Sequence, residues 1–295
     1  NISYKKFFFN IIRPMNTEEK MKKILILKKA ILKNIVDTAY YAGASSAHIG
    51  GALSAVDIVS TLFSEFIKIN PENIEKIDRD YFILSKGHAC LVYYAALVEM
   101  GFFSRNELKS FEKTDSFLLG HPVLDKKHGI DFSTGSLGMG LSIGVGLALS
   151  LKKRKVNNKI YVLIGDGECN EGSIWESVMS ASHFNLDNLN IIIDKNNLQQ
   201  TGKNSEIMNL GDLKAKLSSF GCETYSVNGH SIKELFEIFS IQNKTNKTKA
   251  IVANTTKGKG LSFAENNNKF HHTVLTKSLY DKALEEIKNY SSDSR

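Results

Sequence analysis

One carboxylate, one amide and four imidazoles stand in this chain where side chains can meet a ligand. Asp166 lies between Gly165 and Gly167, and Asn196-Asn197 follows the next apolar run. Asp166 offers a hard anionic oxygen, Asn196 an amide oxygen, and the main-chain carbonyl of Leu198 a third. An oxygen set with so little charge suits Mg²⁺, which shares its shell with water and substrate phosphates. Gly167 leaves room for a phosphate beside the metal. The pattern therefore predicts a Mg²⁺–diphosphate site. The plainer alternative, two polar turns with a solvated Asp166, does not explain why both turns fall at successive strand ends. Three histidines of the eight, His48, His88 and His121, sit in glycine-flanked loops, and His271 adds a fourth late in the chain. Such imidazoles move protons near neutral pH and bind hydroxyls and phosphates.

These residues need elements to hold them at one edge. Ile160–Ile164 and Asn190–Ile193 are short apolar runs rich in β-branched residues, with a helical pattern from Glu171 to Phe184 between them. That is a βαβ unit, and ligands of parallel sheets bind beyond the carboxyl ends of the strands. Further helices are expected at Thr17–Tyr41 (capped at Thr17), Ser54–Ile67, Ala89–Met100, Ser104–Phe111, Gly211–Phe220, Ser231–Gln242 and Leu275–Ile287. Further strands are expected at Tyr81–Leu84, Glu223–Val227 and Ala250–Thr255. The alternation predicts an α/β fold, a parallel sheet with helices on both faces. Asp131–Leu151 is glycine-rich and turns helical. Its Gly138-Met139-Gly140 is no dinucleotide fingerprint, because the spacing to Gly144 is too long and no strand precedes it. Those glycines suit close helix packing.

Composition narrows the class. With 295 residues and 42% hydrophobic content, the chain can bury a large core in one or two domains. The expected division is a basic, aromatic extension over 1–14 outside the fold, one domain over 15–290 and a polar tail over 291–295. The net charge of +7 comes from lysines spread along the chain, and only residues 4–13 approach a nucleic-acid-binding pattern. We therefore expect no nucleic-acid partner. No apolar run is long enough to cross a bilayer, so no membrane partner is expected either. Three scattered cysteines without C-x-x-C suggest neither zinc nor disulfides, and a cytoplasmic location is the expectation.

GDG, a βα unit and then NN is the signature of thiamine-diphosphate enzymes. From about Lys28 to about Ile287 the chain resembles the N-terminal, diphosphate-binding half of a transketolase. The motifs Ser46-Ala47-His48-Ile49-Gly50, Lys86-Gly87-His88-Ala89 and Gly120-His121-Pro122 carry the resemblance beside Gly165-Asp166-Gly167. It implies thiamine diphosphate as cofactor, with Mg²⁺ or Ca²⁺ in its place. It assigns the metal to Asp166, Asn196 and Leu198, and the diphosphate to Gly167, His88 and His271. Gly135, Ser136 and Leu137 would touch the aminopyrimidine and thiazolium. His48, His121 and His271 would bind donor hydroxyls and shuttle protons. Glu171 would be an acid at a dimer interface between two active sites. Two departures stand out: Ser136 where many transketolases have Pro, and His272 where the family usually has Gly.

The reaction implied is transfer of a two-carbon ketol unit from a ketose phosphate to an aldose phosphate, in carbohydrate metabolism. The family activates its cofactor with a glutamate from a second, pyrimidine-binding domain, which these residues do not contain. The resemblance thus implies the N-terminal subunit of a split enzyme. Its assembly would be a heterotetramer that combines self-association across the active-site interface with binding of a C-terminal transketolase subunit. Alternatives are a deoxyxylulose-phosphate synthase, which reads G-H-S-S at Gly135–Gly138, and a 2-oxo-acid dehydrogenase α subunit, which lacks the early histidine motifs. A non-catalytic cofactor-binding subunit would have lost a metal ligand or a channel histidine, and all are present.

Overall fold

The computed structural model describes residues 15–243 and 245–289; the expected extension over 1–14 and the tail over 291–295 lie outside the described residues. Apolar runs pair side by side because each can bury both faces: β1 (Tyr81–Leu84), β2 (Ile160–Gly165), β3 (Leu189–Lys195) and β5 (Lys249–Asn254). The more polar, half-exposed β4 (Glu223–Asn228) takes the edge beside β5, in the order β1-β2-β3-β5-β4. Every pairing is parallel. Gly165 lies opposite Asp194, and Lys195 opposite Asn254, so β2, β3 and β5 end level at one edge.

Side chains alternate across the sheet, which divides the core in two. Tyr161, Leu163, Ile192, Ile251 and Ala253 pack with helices Thr17–Ala42, Val56–Glu65, Cys90–Met100, Ile232–Ser240 and Lys277–Lys288. Ile160, Val162, Ile164, Ile191, Ile193 and Val252 pack against helices Met139–Lys153, Gly172–His183 and Leu213–Ser219. The expected α/β architecture with helices on both faces is the one observed.

Most boundaries fall within one or two residues of expectation, the helix expected at Ser104–Phe111 is a 3-10 helix over Arg105–Ser110, and two differences have clear local reasons. The first helix is capped by Asn16, not Thr17. Asn16 Oδ1 accepts from the Glu19 amide at 2.9 Å, and Glu19 returns the bond to the Asn16 amide at 2.9 Å. A short asparagine side chain in extended backbone closes this reciprocal box directly. The helix expected over Ser54–Ile67 runs over Val56–Glu65, and a separate short helix, Gly50–Ser54, precedes it across a break at Ala55. The break lets the first piece lie across the site, where the Gly50 carbonyl accepts from the Gly258 amide at 3.0 Å.

Helix Met139–Lys153 reads its glycines against the sheet. A Cβ at Gly144 would stand 2.6 Å from Val162 Cγ2, whereas one at Gly146 on the same helix would meet no atom within 4 Å. Gly144→Val is expected to destabilise the chain by about 1–3 kcal/mol through overpacking. Gly146→Ala is expected to stabilise it by about 0.4–1 kcal/mol, by restricting the unfolded chain. Urea denaturation of both variants checks the pair; equal effects at the two positions would contradict this packing.

Candidate active site

The level ends of β1, β2, β3 and β5 carry a buried ion pair. Lys86, just after β1, puts its ammonium on Asp194 Oδ2, with side chains 2% and 0% exposed. The ammonium also donates to the Gly51 carbonyl at 2.8 Å. Asp194 accepts further bonds from the Ser54 hydroxyl at 2.5 Å, from the Thr255 hydroxyl, and from the Asn196 amide at 3.3 Å. Burial alone would raise the Asp194 pKa, but Lys86 and these hydroxyls outweigh it and hold the carboxylate below its usual range.

Asp166 is buried at the end of β2. Its Oδ1 accepts from the Gly167 amide at 2.8 Å and its Oδ2 from the Asn197 amide at 2.5 Å. Asn197 adopts the left-handed conformation (φ 62°) that asparagine tolerates, which aims its N–H at Asp166. Burial, then the neighbouring Asp194 charge, pushes Asp166 up to about 6. Asn196 Oδ1 accepts from the Leu198 amide at 3.1 Å. Glu168 is fully buried and pins three loops: it accepts from the Ser85 hydroxyl at 2.5 Å, the Gly138 amide at 2.8 Å and the Gly165 amide at 3.0 Å.

The four histidines singled out in the sequence come together around His48. Ring centroids lie 5.7 Å from His88, 5.8 Å from His121 and 5.3 Å from His271, with His88 and His271 5.4 Å apart. A two-way main-chain bridge between Ala47 and Thr273 clamps the early loop to the late one, at 3.0 and 3.1 Å. The same clamp brings in a fifth ring: His272 is 4.3 Å from His48, and its Nε2 lies 2.9 Å from the Ser46 hydroxyl. Burial, then the surrounding imidazoles, lowers His48 to about 3. Burial and Lys257 lower His271 to about 4, and burial with Lys86 carries His88 well below its ordinary value. Burial thus disfavours protonation of His48, His88 and His271.

A cavity of about 330 Å³ joins the two halves, lined by His48, His88, His121 and His271 on one side and Gly165–Glu168, Asn196 and Leu198 on the other. Gly135 and Leu137 also line it, whereas Ser136 is exposed beside them and Glu171 is exposed outside the cavity, just before helix Gly172–His183. The cavity's polar groups fit an anionic ligand with a cation. His271 Nδ1 and Gln199 Nε2 are buried without a hydrogen-bond partner. The Lys257 ammonium reaches the Gln199 carbonyl at 2.8 Å, and burial with Lys86 lowers it to about 8. A Cβ at Gly51 would stand 3.2 Å from His88 Nε2. Among the described residues no group of three or more His, Cys, Asp or Glu could hold a metal. A cation here would depend on Asp166, on the amide and main-chain oxygens beside it, and on ligand oxygens.

Lys86, Asp194, Glu168, Gln199 and Lys257 escaped the reading of the sequence. Lys86 and Asp194 sat inside the motifs that were read, yet their pairing spans 108 residues and exists only in the folded chain. Lys257 carried a weak signal, between Thr256 and Gly258 after β5.

Comparison with known proteins agrees with this geometry. Residues 29–289 match the family "Transketolase, thiamine diphosphate binding domain", and the chain belongs to it. It is 39% identical over 242 residues to an apulose-4-phosphate transketolase subunit of Actinobacillus succinogenes, covering 82% of this chain and 88% of that protein. It is 37% identical over 245 residues to human "Transketolase", covering 83% of this chain but 39% of that protein. Transketolase of Campylobacter jejuni superposes with a TM-score of 0.82 at 30% identity, covering 95% of this chain and 44% of that one.

The lowered imidazoles set a pH dependence. In the unfolded chain His48 and His271 take up protons near 6.5; folded, they do so only near 3 and 4. The unfolded state therefore binds more protons between these values, and their contribution to stability is lost as pH falls from about 6.5 towards 4. The double variant His48→Asn/His271→Asn is expected to lose less stability than wild type between pH 7 and pH 4.5. Parallel denaturation curves at both pH values check it; equal losses would mean that the rings are not held neutral.

Proposed function

We propose that this chain is the N-terminal subunit of a split transketolase, moving a two-carbon ketol unit from a ketose phosphate to an aldose phosphate with thiamine diphosphate and Mg²⁺. The observation that carries the reading is the convergence of His48, His88, His121 and His271 on one cavity with Asp166, Asn196 and Leu198. The lengths support the split: the chain spans 88% and 90% of two relatives named as transketolase subunits, but 39% of the human enzyme.

Thiamine diphosphate, when bound, supplies the electron sink needed to break a carbon–carbon bond. The chain's own residues bind and orient. Asp166, Asn196 and the Leu198 carbonyl hold Mg²⁺, or Ca²⁺ in its place, and the divalent charge offsets the cost of ionising a buried carboxylate. The Gly167 main chain, His88, His271 and Lys257 take the diphosphate. Burial disfavours the charged forms of His48 and His271, so each presents one N–H donor and one acceptor to the donor sugar's hydroxyls; His121 joins them in binding those hydroxyls and relaying protons. Gly135, Ser136 and Leu137 form the lip against the rest of the cofactor.

A C-terminal transketolase subunit covers this lip and provides the pyrimidine site. The exposed apolar side chains there, Leu124 (54%), Leu137 (37%) and Met139 (50%), support such a cover. Glu171, exposed beside Gly138, would meet a second copy across the active-site interface in a heterotetramer; its exposure supports that reading. The working location is the cytoplasm: all three cysteines are buried free thiols, and no helix of the described residues is long and apolar enough to cross a membrane.

Two experiments test this. Asp166→Ala is expected to weaken Mg²⁺-dependent thiamine diphosphate binding by about 100-fold or more, since even outer-shell changes at metal sites cost about 10- to 100-fold. Calorimetric titration of the assembled complex measures it, and unchanged affinity would remove Asp166 from the metal. The isolated chain is expected to show no ketol transfer from hydroxypyruvate with Mg²⁺ and cofactor, and to gain it when the pyrimidine-domain subunit is added. Full activity from the isolated chain would refute the split.

A further inference from the structure

A line of polar groups outside the cavity runs from the helical layer to the segment that follows β5. Lys28 Nζ pairs with Asp57 Oδ1 at 2.6 Å, Asp57 Oδ2 faces His230 Nδ1 at 2.9 Å, and His230 Nε2 lies 2.7 Å from the Thr256 amide nitrogen. Lys28 and Asp57 are buried, at 7% and 1% exposure. The line fixes the tautomer of the ring. A main-chain amide can only donate, so Nε2 must accept; Nδ1 then carries the hydrogen and donates it to Asp57.

Thr256 immediately precedes Lys257. The neighbouring amides of this segment bond to main-chain carbonyls, Thr255 to Lys195 at 3.0 Å and Gly258 to Gly50 at 3.0 Å. The Thr256 amide is instead held by a side chain. The turn carrying His230 is also packed hard against the same segment. The Gly229 amide donates to the Asn254 carbonyl at 2.8 Å, and a Cβ on Gly229 would run into Thr255 Cγ2. His230 thus reaches the anion-facing edge from behind, through the residue next to Lys257.

We propose that His230 is a positioning residue: in its Nδ1–H form it holds the Thr256 amide and so sets Lys257 over the cavity for the diphosphate of the cofactor. The ligand in this statement rests on the function proposed above; the hold on Thr256 does not. The competing role is purely structural, with His230 serving Asp57 and Lys28 alone.

Two variants of the full-length chain separate these roles. His230→Asn keeps a donor towards Asp57 but puts no acceptor within reach of Thr256. His230→Gln reaches as far as Nε2 and can accept from Thr256. Amide hydrogen exchange is read at Thr256 without ligand, and thiamine diphosphate affinity is read by calorimetry with Mg²⁺ and the partner subunit. His230→Asn is expected to speed Thr256 exchange by about 10-fold, the worth of one hydrogen bond, and to weaken cofactor binding by a similar factor. His230→Gln is expected to return both towards wild type. Slow Thr256 exchange in His230→Asn, or tolerance of Asn with disruption by Gln, would overturn the proposal. Faster Thr256 exchange with unchanged cofactor affinity would overturn its diphosphate half. A wild-type complex that binds no thiamine diphosphate would instead refute the proposed function, while the exchange result still decides what His230 holds.

Discussion

A lysine ammonium and an aspartate carboxylate, both out of water, set the terms for the carboxyl edge of this sheet. A buried charge left alone costs several kcal/mol, so Lys86 and Asp194 must be fully surrounded by partners. Those partners come from the short helix Gly50–Ser54, the segment after β5 and the end of β3 itself. Satisfying one ion pair therefore fixes the ends of four segments at once. The groups that face the cavity stand two residues further along: His88 beyond Lys86, Asn196 beyond Asp194, Lys257 beyond Thr255. The polar core of the edge is a frame, and the site hangs from it.

Within that frame burial works against the charged form of several ionisable groups. Burial raises Asp166 and Glu168 and lowers His48, His88, His271 and Lys257. The ammonium groups of Lys86 and Lys257, the Asp166 carboxylate and the unpartnered nitrogens of Gln199 and His271 all line one cavity or its wall. An anionic ligand carrying a divalent cation would balance each of these groups in one step.

Much of the fold was legible because its signals are local. β1 was read to the residue, and β2, β3 and β5 to within one or two, since each is a short apolar run ended by a polar cluster. Asp166, His48, His88 and His121 were conspicuous because glycines stand close to each in the sequence. What the sequence hid was pairing across distance. Lys86 and Asp194 look like ordinary motif residues until β1 and β3 flank β2 in one sheet. Glu168 reads as a turn residue, and its grip on Ser85 and Gly138 depends on where helix Met139–Lys153 docks. The cap moved from Thr17 to Asn16 because one-residue choices at helix ends rest on backbone angles that periodicity does not report.

The clamp between Ala47 and Thr273 carries a consequence for the order of assembly. Its neighbours Ser46 and His272 are separated by 226 residues, so His48 acquires His271 and His272, unlike His88 and His121, only after nearly the whole described chain has been made. Contacts of such sequence separation close late, because the loop between them must first be ordered. On a ribosome the helices, the sheet and the Lys86–Asp194 pair can all be in place while the ring of histidines is still open. The nascent protein has its core before it has its site.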